Sequence, residues 1–254
     1  MKVVILAGGL GTRLSEETVI NPKPMIQIGD RPIVWHLMKY YSQFGFKDFY
    51  IALGYKGEII KKYFLDYQLA NRSIRIQLGD NHLDYLNGDV EDWTINLIDT
   101  GLFTNTGGRL KQLQPYLGSE TFMLTYGDGV STVDLNATLE FHKSHGRIVT
   151  LTAVHPPARF GGLDLEGDVV CNFFEKSQIR EGWINGGFMI FEPDVFDYIE
   201  GDQTILEADV LERLTALGQV RAYRHTEFWQ CMDTLRDKRY LEELWNEGAP
   251  WKIW

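Results

Sequence analysis

Residues 3–25 read VVILAGGLGTRLSEETVINPKPM, and this stretch decides the expected fold. Its first part, Val3 to Ala7, is an apolar run that predicts a buried β-strand. Gly8, Gly9 and Gly11 follow at once. Glycines at such a place let the backbone turn tightly and bring its N–H groups close to a ligand. The stretch therefore predicts a strand that runs into a tight, ligand-binding loop.

Two basic residues follow this loop. Arg13 supplies a planar guanidinium group whose N–H donors suit phosphate oxygens. Lys23 lies between Pro22 and Pro24, which hold it on a stiff segment. Together with the glycines, the two cations predict a site for a polyphosphate. The alternative is a plain strand–turn–helix corner with Arg13 and Lys23 on the surface.

Two familiar phosphate-binding loops are excluded by the spacing of the glycines. A dinucleotide fingerprint requires G-x-G-x-x-G, but after Gly9 and Gly11 the third position is Leu14. A P-loop requires G-x-x-x-x-G-K-[ST], and the chain contains no Gly-Lys pair. The predicted site is therefore of another type, built from GGLGTR and PKP.

The composition restricts the class of protein. Of 254 residues, 44% are hydrophobic and 13% aromatic, which is enough for a sizeable core. The formal net charge of −10 argues against a nucleic-acid partner, which would require a basic face. Cys171 and Cys231 favour neither a disulfide framework nor a zinc site. The chain opens directly into a strand, and no apolar run approaches the ~18 residues of a membrane span, so we expect a cytoplasmic protein without a membrane partner.

Short apolar runs alternate with helical patterns over residues 1–155. This alternation predicts βαβ units and hence an α/β fold, with a Rossmann-like, mostly parallel sheet and helices on both faces. Residues 156–254 are richer in loops, glycine and aromatic residues, and we expect C-terminal β-rich and helical elaborations there. In that part the patterns predict strands near Val169–Phe174, Gly187–Phe191 and Val220–His225, and helices near Leu206–Leu217 and Thr234–Asn246. We expect residues 1–254 to form a single domain.

A carboxylate follows another predicted strand. Residues Phe122–Tyr126 form an apolar run that ends in Gly127-Asp128-Gly129. In a doubly wound sheet, ligands lie outside the carboxyl ends of the strands, so we expect Asp128 on the same edge as the Gly8 loop. Mg²⁺ takes one or two carboxylates together with phosphate oxygens. Asp128 is therefore a candidate magnesium ligand, and the alternative is an aspartate of an ordinary turn.

A second carboxylate, Asp233, lies just before the last predicted helix. Its alternative role is an N-cap, whose side chain would bond to the first turn of that helix. Asp128 and Asp233 are 105 residues apart, and this spacing by itself does not show that they meet.

Three further groups of residues are candidates for substrate binding. For each of them, the alternative is an ordinary role outside the site. Glu175-Lys176 follows a predicted strand, and Asn185-Gly186 opens the next one. Their carboxylate, ammonium and amide groups suit the hydroxyls and the phosphate of a sugar phosphate. Arg109 lies in the first turn of a predicted helix whose N-terminus suits an anion.

Taken together, these residues resemble the sugar-nucleotide pyrophosphorylases and, within them, the glucose-1-phosphate cytidylyltransferase family. The likeness covers nearly the whole chain. Its most specific parts are the LSEET extension after GTR and the MDTLRD block, since the glycine loop is shared by many nucleotidyltransferases. The other matching motifs are PKPM, GYKG, TGGRL, YGDG, NGGF and the terminal APWK.

The resemblance implies transfer of CMP from CTP to glucose 1-phosphate, giving CDP-glucose and pyrophosphate for deoxysugar and surface-polysaccharide biosynthesis. It implies catalytic roles for Arg13, Lys23 and Asp128, and a Mg²⁺ ion on Asp128 and Asp233. It assigns nucleotide binding to Leu6, Ala7, Gly8, Gly9, Gly11, Thr12, Arg13, Thr104 and Arg109. It assigns the sugar phosphate to Lys23, Glu175, Lys176, Asn185 and Gly186. It further implies a nucleotide-binding core at 1–155, a sugar-phosphate-binding and oligomerisation part at 156–254, and a homo-oligomer.

Three positions depart from the family pattern. Asn21 replaces the first lysine of K-P-K-P, Ser177 the proline of E-K-P, and Cys231 the proline of W-Q-P-M-D. Because the first two fall on the expected sugar-phosphate side, a different phosphorylated acceptor is one alternative. A non-catalytic regulator that binds nucleotide sugars is another. Such a regulator should lack the metal carboxylate or the loop arginine, and this chain has both.

Overall fold

The structure is a computed structural model, and it describes residues 1–11, 14–88, 90–157, 162–166, 169–174 and 182–254. The strands in these residues, numbered in chain order, are β1 Lys2–Leu6, β2 Gln27–Ile28, β3 Arg31–Pro32, β4 Asp48–Leu53, β5 Ser73–Gln77, β6 His82–Asn87, β7 Thr94–Asp99, β8 Phe122–Tyr126, β9 Gly129–Ser131, β10 Val149–Val154, β11 Gly162–Glu166, β12 Val169–Phe174, β13 Ile184–Phe191, β14 Val220–His225 and β15 Trp229–Cys231.

The α-helices, numbered in the same way, are α1 Ser15–Thr18, α2 Ile33–Gln43, α3 Gly57–Leu65, α4 Tyr67–Asn71, α5 Thr106–Leu117, α6 Leu135–His145, α7 Glu212–Ala216 and α8 Leu235–Gly248. Short 3₁₀ turns cover Lys23–Met25 and Pro193–Tyr198. A π-helical segment, Leu206–Leu211, runs directly into α7.

Seven strands form the central sheet, in the order β14-β10-β13-β8-β1-β4-β7. Strand β1 pairs in parallel with β4 and with β8, β4 with β7, and β10 with β14. Strand β13 is antiparallel to both of its neighbours, β8 and β10. The sheet is therefore mostly parallel, and the predicted α/β fold is confirmed. The C-terminal third supplies two strands of this sheet, β13 and β14, in addition to peripheral elements.

Apolar side chains cover both faces of the sheet. Along β1, Val3 and Ile5 belong to one buried cluster, and Val4 and Leu6 belong to another. This split follows from the period of two along a strand, which sends successive side chains to opposite faces. Helix α2 packs in the first cluster, and helix α5 with the π-helical segment packs in the second. The helices therefore lie on both faces, as the sequence predicted.

Smaller ribbons extend from the sheet. The polar segment 79–92, for which the sequence predicts a loop or a hairpin, contains strand β6, which pairs with β5 as a hairpin. Strands β2 and β3 form a short ribbon, and so do β11 and β12. Strand β9, which follows Asp128, pairs with β15, which precedes Asp233. No helix in the described ranges is long and apolar enough to cross a membrane.

The C-terminal tail is held by aromatic packing around a buried histidine. The indole of Trp251 and the imidazole of His36 are both fully buried. The His36 Nε2 atom lies 2.9 Å from the Ile28 carbonyl oxygen, and the Trp251 indole N–H donates to His36 Nδ1 over 3.4 Å. These partners suit a neutral ring that donates through Nε2 and accepts through Nδ1. Burial lowers the pKa of His36 from 6.5 to about 4.

We expect His36 to make the protein less stable as the pH falls from about 6.5 to about 4. In this window the unfolded chain binds a proton at this histidine and the folded chain does not, so acid favours unfolding. Over this whole window the loss in free energy of unfolding is on the order of 3 kcal/mol. Urea unfolding at pH 7 and pH 4.5 measures it. His36→Gln should lose less stability between these pH values than wild type, even if it is less stable at pH 7.

The exposed His82 provides the matched control for this experiment. His82→Gln measures the effect of replacing an exposed histidine, and the pH dependence of His36→Gln is compared with it. An equal loss of stability in wild type and His36→Gln would show that His36 does not carry the effect.

Candidate active site

A cleft of about 390 Å³ opens at the carboxyl ends of β1 and β8. The sheet order changes direction there, because β4 follows on one side of β1 and β8 lies on the other. Such a switch point is the usual ligand site of an open α/β sheet. The residues that line the cleft are Leu6, Ala7, Gly8, Gly9, Gly11, Lys23, Pro24, Thr104, Asn105, Thr106, Arg109, Tyr126, Gly127, Asp128 and Asp233.

The glycine loop continues from β1 and is fixed by backbone hydrogen bonds on both sides. The Ala7 N–H donates to the Ala52 carbonyl oxygen over 3.1 Å, and the Tyr55 N–H donates to the Gly8 carbonyl oxygen over 3.1 Å. On the other side, the Gly127 N–H donates to the Leu6 carbonyl oxygen over 3.1 Å. The loop therefore meets the Asp128 turn at one edge of the sheet, which is the arrangement that the sequence predicts.

Arg109 supports the glycine loop from behind. Its side chain is almost fully buried, at 4% exposure. The Nη2 atom donates to the Gly8 carbonyl oxygen over 3.0 Å, while Nη1 donates to the Thr100 hydroxyl and to the Gly101 carbonyl oxygen, both over 2.7 Å. The guanidinium group thus ties the loop after β1 to the loop after β7. The resemblance assigns Arg109 to the nucleotide, and the structure adds this support of the loop.

The N-terminus of α5 also borders the cleft, through Thr104 and Thr106. Two of its amides are already used, since Asn105 N–H donates to the Asp202 carbonyl oxygen and Gly108 N–H to the Thr204 carbonyl oxygen. These bonds fasten the start of the helix to the 202–204 loop. The helix therefore presents its first turn to the cleft in a fixed position.

A two-stranded ribbon brings the two predicted metal carboxylates together. Strand β9 begins at Gly129, and in its pairing with β15 this residue lies opposite Cys231. One step beyond, the Met232 N–H donates to the Asp128 carbonyl oxygen over 2.8 Å. Asp128 and Asp233 therefore leave the ribbon at the same end.

Asp233 is not the N-cap of the last helix. The cap is Thr234, whose side chain accepts from the Asp237 N–H while the Asp237 carboxylate accepts from the Thr234 N–H, as in a capping box. Because this box serves the helix end, the alternative role considered for Asp233 is wrong. Its carboxylate is directed to the cleft instead.

Lys23 lies between the two carboxylates. Its ammonium nitrogen is 2.5 Å from an oxygen of Asp128 and 2.5 Å from an oxygen of Asp233. The preceding Pro22 and the buried Pro24 hold the 3₁₀ turn that carries it. Burial by itself lowers the pKa of Lys23, but the charges and hydrogen bonds of the two aspartates outweigh burial and raise the pKa above its ordinary value. Lys23 is therefore a permanent cation on the floor of the cleft.

The pair of aspartates fits a magnesium ion. Their two oxygens lie within about 5 Å of each other, since each is 2.5 Å from the same nitrogen. Mg²⁺ is usually held by one or two carboxylates and completes its shell with water and phosphate oxygens. The residues that the structure describes contain no cluster of three or more potential metal ligands of the His, Cys, Asp or Glu type. Two carboxylates leave the other positions around such an ion to water and to phosphate oxygens.

Four of the predicted site residues lie outside the described residues: Thr12, Arg13, Glu175 and Lys176. The same is true of Ser177, one of the positions that depart from the family pattern.

Asn185 and Gly186 are described, and they lie next to the cleft lining. The Gly186 carbonyl oxygen accepts a hydrogen bond of 2.7 Å from the Trp229 indole. The Asn185 side chain is hydrogen-bonded to Tyr126, which is a lining residue.

Sequence reasoning missed three side chains around the cleft. Tyr126 and Thr106 line it, and the Glu207 carboxylate accepts a hydrogen bond from each of their hydroxyl groups. Tyr126 stands in the YGDG motif, and the apolar run before it predicts only the end of a strand at this position. Glu207 belongs to no motif, and only the folded chain brings it here.

Cys231 is half-buried beside the aspartate pair, with its sulfur 3.9 Å from an oxygen of Asp233. Burial and then the neighbouring carboxylates raise the pKa of Cys231 to about 12. The thiol therefore stays protonated at neutral pH and is a poor nucleophile.

Comparison with known proteins identifies the class of this fold and site. A family model for nucleotidyl transferases matches residues 2–243. The chain therefore belongs to the nucleotidyl transferase family. The resemblance drawn from the motifs is confirmed by curated relatives. A "Glucose-1-phosphate cytidylyltransferase" of Salmonella typhi is 51% identical over 256 residues, with 100% of both chains covered. A "Probable glucose-1-phosphate cytidylyltransferase" of Bacillus subtilis is 41% identical, again over 100% of both chains.

Solved structures show the same fold. HddC from Yersinia pseudotuberculosis, complexed with GMP-PN, matches with a TM-score of 0.71 and 25% identity, covering 96% of this chain and 99% of that one. An inositol-1-phosphate CTP transferase from T. maritima matches with a TM-score of 0.66 and 16% identity, covering 98% of this chain and 97% of that one. The second likeness is one of fold alone.

We expect Gly8→Ala to destabilise the protein by about 1–3 kcal/mol. A Cβ atom at this position would lie 2.2 Å from Nη1 of the buried Arg109, so the guanidinium group or the loop must move. Gly9→Ala is the matched control, because a Cβ atom there has nothing within 4 Å. Urea unfolding should show a loss for Gly8→Ala and little change for Gly9→Ala. Equal stability of the two variants would contradict the contact between Arg109 and the loop.

Proposed function

We propose that this protein transfers the CMP group of CTP to glucose 1-phosphate, giving CDP-glucose and pyrophosphate. The relatives of that name support the proposal, since they align with the chain over its full length. The observation that carries it is the position of Lys23 between Asp128 and Asp233, beside the glycine loop in one cleft. One fixed cation and two potential metal ligands thus lie next to the glycine loop. Phosphates can approach the backbone of this loop closely, because its glycines have no side chains.

The reaction needs positioning and charge neutralisation more than proton transfer. An oxygen of the glucose 1-phosphate phosphate attacks the α-phosphorus of CTP and forms a new P–O bond. The bond between the α-phosphorus and the bridging oxygen breaks, and pyrophosphate leaves with that electron pair. Because the nucleophile is already an anion, no general base is required. Catalysis then depends on holding the two anions in line and stabilising their charge.

The chain's own cations and amides perform this neutralisation. The loop of Gly8, Gly9 and Gly11 would bring backbone N–H groups to the triphosphate. Lys23 would stabilise charge around the α-phosphate and the acceptor phosphate, and Arg13 the pyrophosphate that leaves. Thr12 would belong to the same loop. Arg109, through its bond to the Gly8 carbonyl oxygen, would keep the loop in place.

Asp128 and Asp233 would hold Mg²⁺. When bound, this ion supplies positive charge to the reacting phosphates and helps to orient them. The ion would compete with the Lys23 ammonium group for the same two carboxylates. The Lys23 nitrogen lies 2.5 Å from an oxygen of each carboxylate. Binding of the metal with nucleotide would therefore release Lys23 toward the phosphates.

The remaining proposed contacts divide between the two substrates. Leu6, Ala7 and Thr104 line the cleft and would contact the nucleotide. On the acceptor side we propose Glu175 and Lys176 together with Lys23, Asn185 and Gly186.

A different phosphorylated acceptor is the second candidate. Asn21 carries no charge where the family pattern has a lysine. If that lysine is exposed in the family, its loss would weaken the binding of a phosphate by about 1 kcal/mol at most. A non-catalytic regulator fits less well, because the chain keeps both aspartates at the cleft.

We also propose a cytoplasmic homo-oligomer whose product supplies deoxysugar and surface-polysaccharide biosynthesis. Exposed apolar side chains on and near α4 and the β5–β6 hairpin support self-association, since monomers rarely expose many together. The most exposed of them are Leu65, Ile76, Leu78 and Leu86.

Pyrophosphate release over a matrix of four nucleoside triphosphates and several phosphorylated acceptors tests the proposed function. We expect turnover with CTP and glucose 1-phosphate, dependence on Mg²⁺, and CDP-glucose as the product by mass spectrometry. Asp128→Asn, purified in the same way, controls for contaminating activity. Product from another acceptor but none from glucose 1-phosphate would refute the acceptor. No pyrophosphate from any pair would refute nucleotidyl transfer by this chain.

A further inference from the structure

A single carboxylate links two walls of the cleft. Glu207 lies in the first turn of the π-helical segment. One of its oxygens accepts a hydrogen bond from the Tyr126 hydroxyl, and the other accepts one of 2.7 Å from the Thr106 hydroxyl. Tyr126 ends strand β8 and Thr106 begins helix α5, and both line the cleft. Glu207 therefore joins two elements that are far apart in the chain.

The hydrogen bonds in this group have fixed directions. The Thr106 oxygen accepts from the Leu206 N–H over 2.9 Å, so its own proton is available for Glu207. The Tyr126 hydroxyl donates to the other Glu207 oxygen. An ionised carboxylate accepts only, and it therefore orients both hydroxyl groups toward itself.

The same chain of bonds reaches Asn185. Its amide oxygen accepts from the Gly187 N–H over 2.9 Å, which leaves the amide nitrogen to face elsewhere. The Asn185 side chain is hydrogen-bonded to Tyr126, and because the Tyr126 proton goes to Glu207, the Asn185 amide nitrogen is the donor in this bond. The order of donation is thus from Asn185 to Tyr126, and from Tyr126 to Glu207. The amide nitrogen of Asn185 also donates to the Met189 sulfur over 3.8 Å.

The backbone is shaped around the Tyr126 ring. Gly187 has a φ of +78°, in the left-handed region that favours glycine. A Cβ atom on Gly187 would lie 2.6 Å from Cδ2 of Tyr126. The ring therefore lies against β13, and from this position its hydroxyl donates to Glu207.

We propose that Glu207 is a positioning residue for acceptor binding, because it fixes Tyr126 and Thr106 in the cleft wall and, through Tyr126, the amide of Asn185. This proposal rests on the proposed function. Tyr126 is two residues from Asp128, and Asn185 is a proposed contact of the sugar phosphate. The glycine loop, by contrast, is held by Arg109. Loss of Glu207 should therefore disturb the acceptor more than the nucleotide.

Steady-state kinetics of Glu207→Ala and Glu207→Gln test this role. Glu207→Ala should raise the KM for glucose 1-phosphate about 10-fold, the effect of losing hydrogen bonds to a charged group. The KM for CTP should stay within about twofold of wild type. Glu207→Gln should have a smaller effect, because its amide oxygen still accepts from one of the two hydroxyl groups. Glu212→Ala, on the exposed face of the following helix, is the control and should leave both constants unchanged.

A double-mutant cycle with Tyr126→Phe shows whether Glu207 acts through the phenol. If it does, the effects of Glu207→Ala and Tyr126→Phe on the acceptor KM are not additive. A rise in the KM for CTP alone, equal rises for both substrates, or a lower melting temperature with unchanged KM values would overturn the proposal. If the wild-type enzyme does not use CTP with glucose 1-phosphate, the proposed function fails, and the variants are measured on the pair that wild type uses.

Discussion

The pairing of β9 with β15 is the interaction on which the site depends. These two strands of three residues each are far apart in the chain, and their register places the Met232 N–H against the Asp128 carbonyl oxygen at 2.8 Å. Asp128 and Asp233 then project into one cleft. A shift of one residue in this register would turn the side chains of β15 to the opposite face. The buried Trp229, whose indole donates to the Gly186 carbonyl oxygen, opposes such a shift.

Two neighbouring carboxylates need a cation, and Lys23 provides one. Like charges at such short range disfavour each other's ionised form. The Lys23 ammonium bonds to both, at 13% exposure of its side chain, so the three groups carry a net charge of −1. In the proposed function, a divalent ion bound with the nucleotide would take the place of this internal cation. Arg109 has a different role, because its guanidinium group donates to the backbone carbonyl oxygens of Gly8 and Gly101 and so holds the glycine loop.

The sequence predicted the positions of the strands and helices well, but it predicted less well which strands pair with each other. Strand β8 at Phe122–Tyr126 and strand β14 at Val220–His225 lie where the sequence patterns predict strands, because local periodicity determines them. The same pattern does not tell a strand which partner it pairs with. The sequence predicts strand β13 among the elaborations after residue 155, yet it lies in the central sheet between β8 and β10. Only the resemblance predicted that Asp128 lies near Asp233, and nothing in the sequence pointed to Glu207. Both placements depend on contacts between segments that are distant in the chain.

The central claim is that Asp128 and Asp233 act as one unit although 105 residues separate them. A double-mutant cycle on kcat/KM, with Asp128→Asn, Asp233→Asn and the double variant at saturating Mg²⁺, tests it most directly. The exposed Asp66→Asn serves as the control. We predict that each single variant loses about 100-fold or more, and that the double variant is little worse than the poorer single one. Full activity of either single variant, or losses that simply multiply in the double variant, would contradict the account.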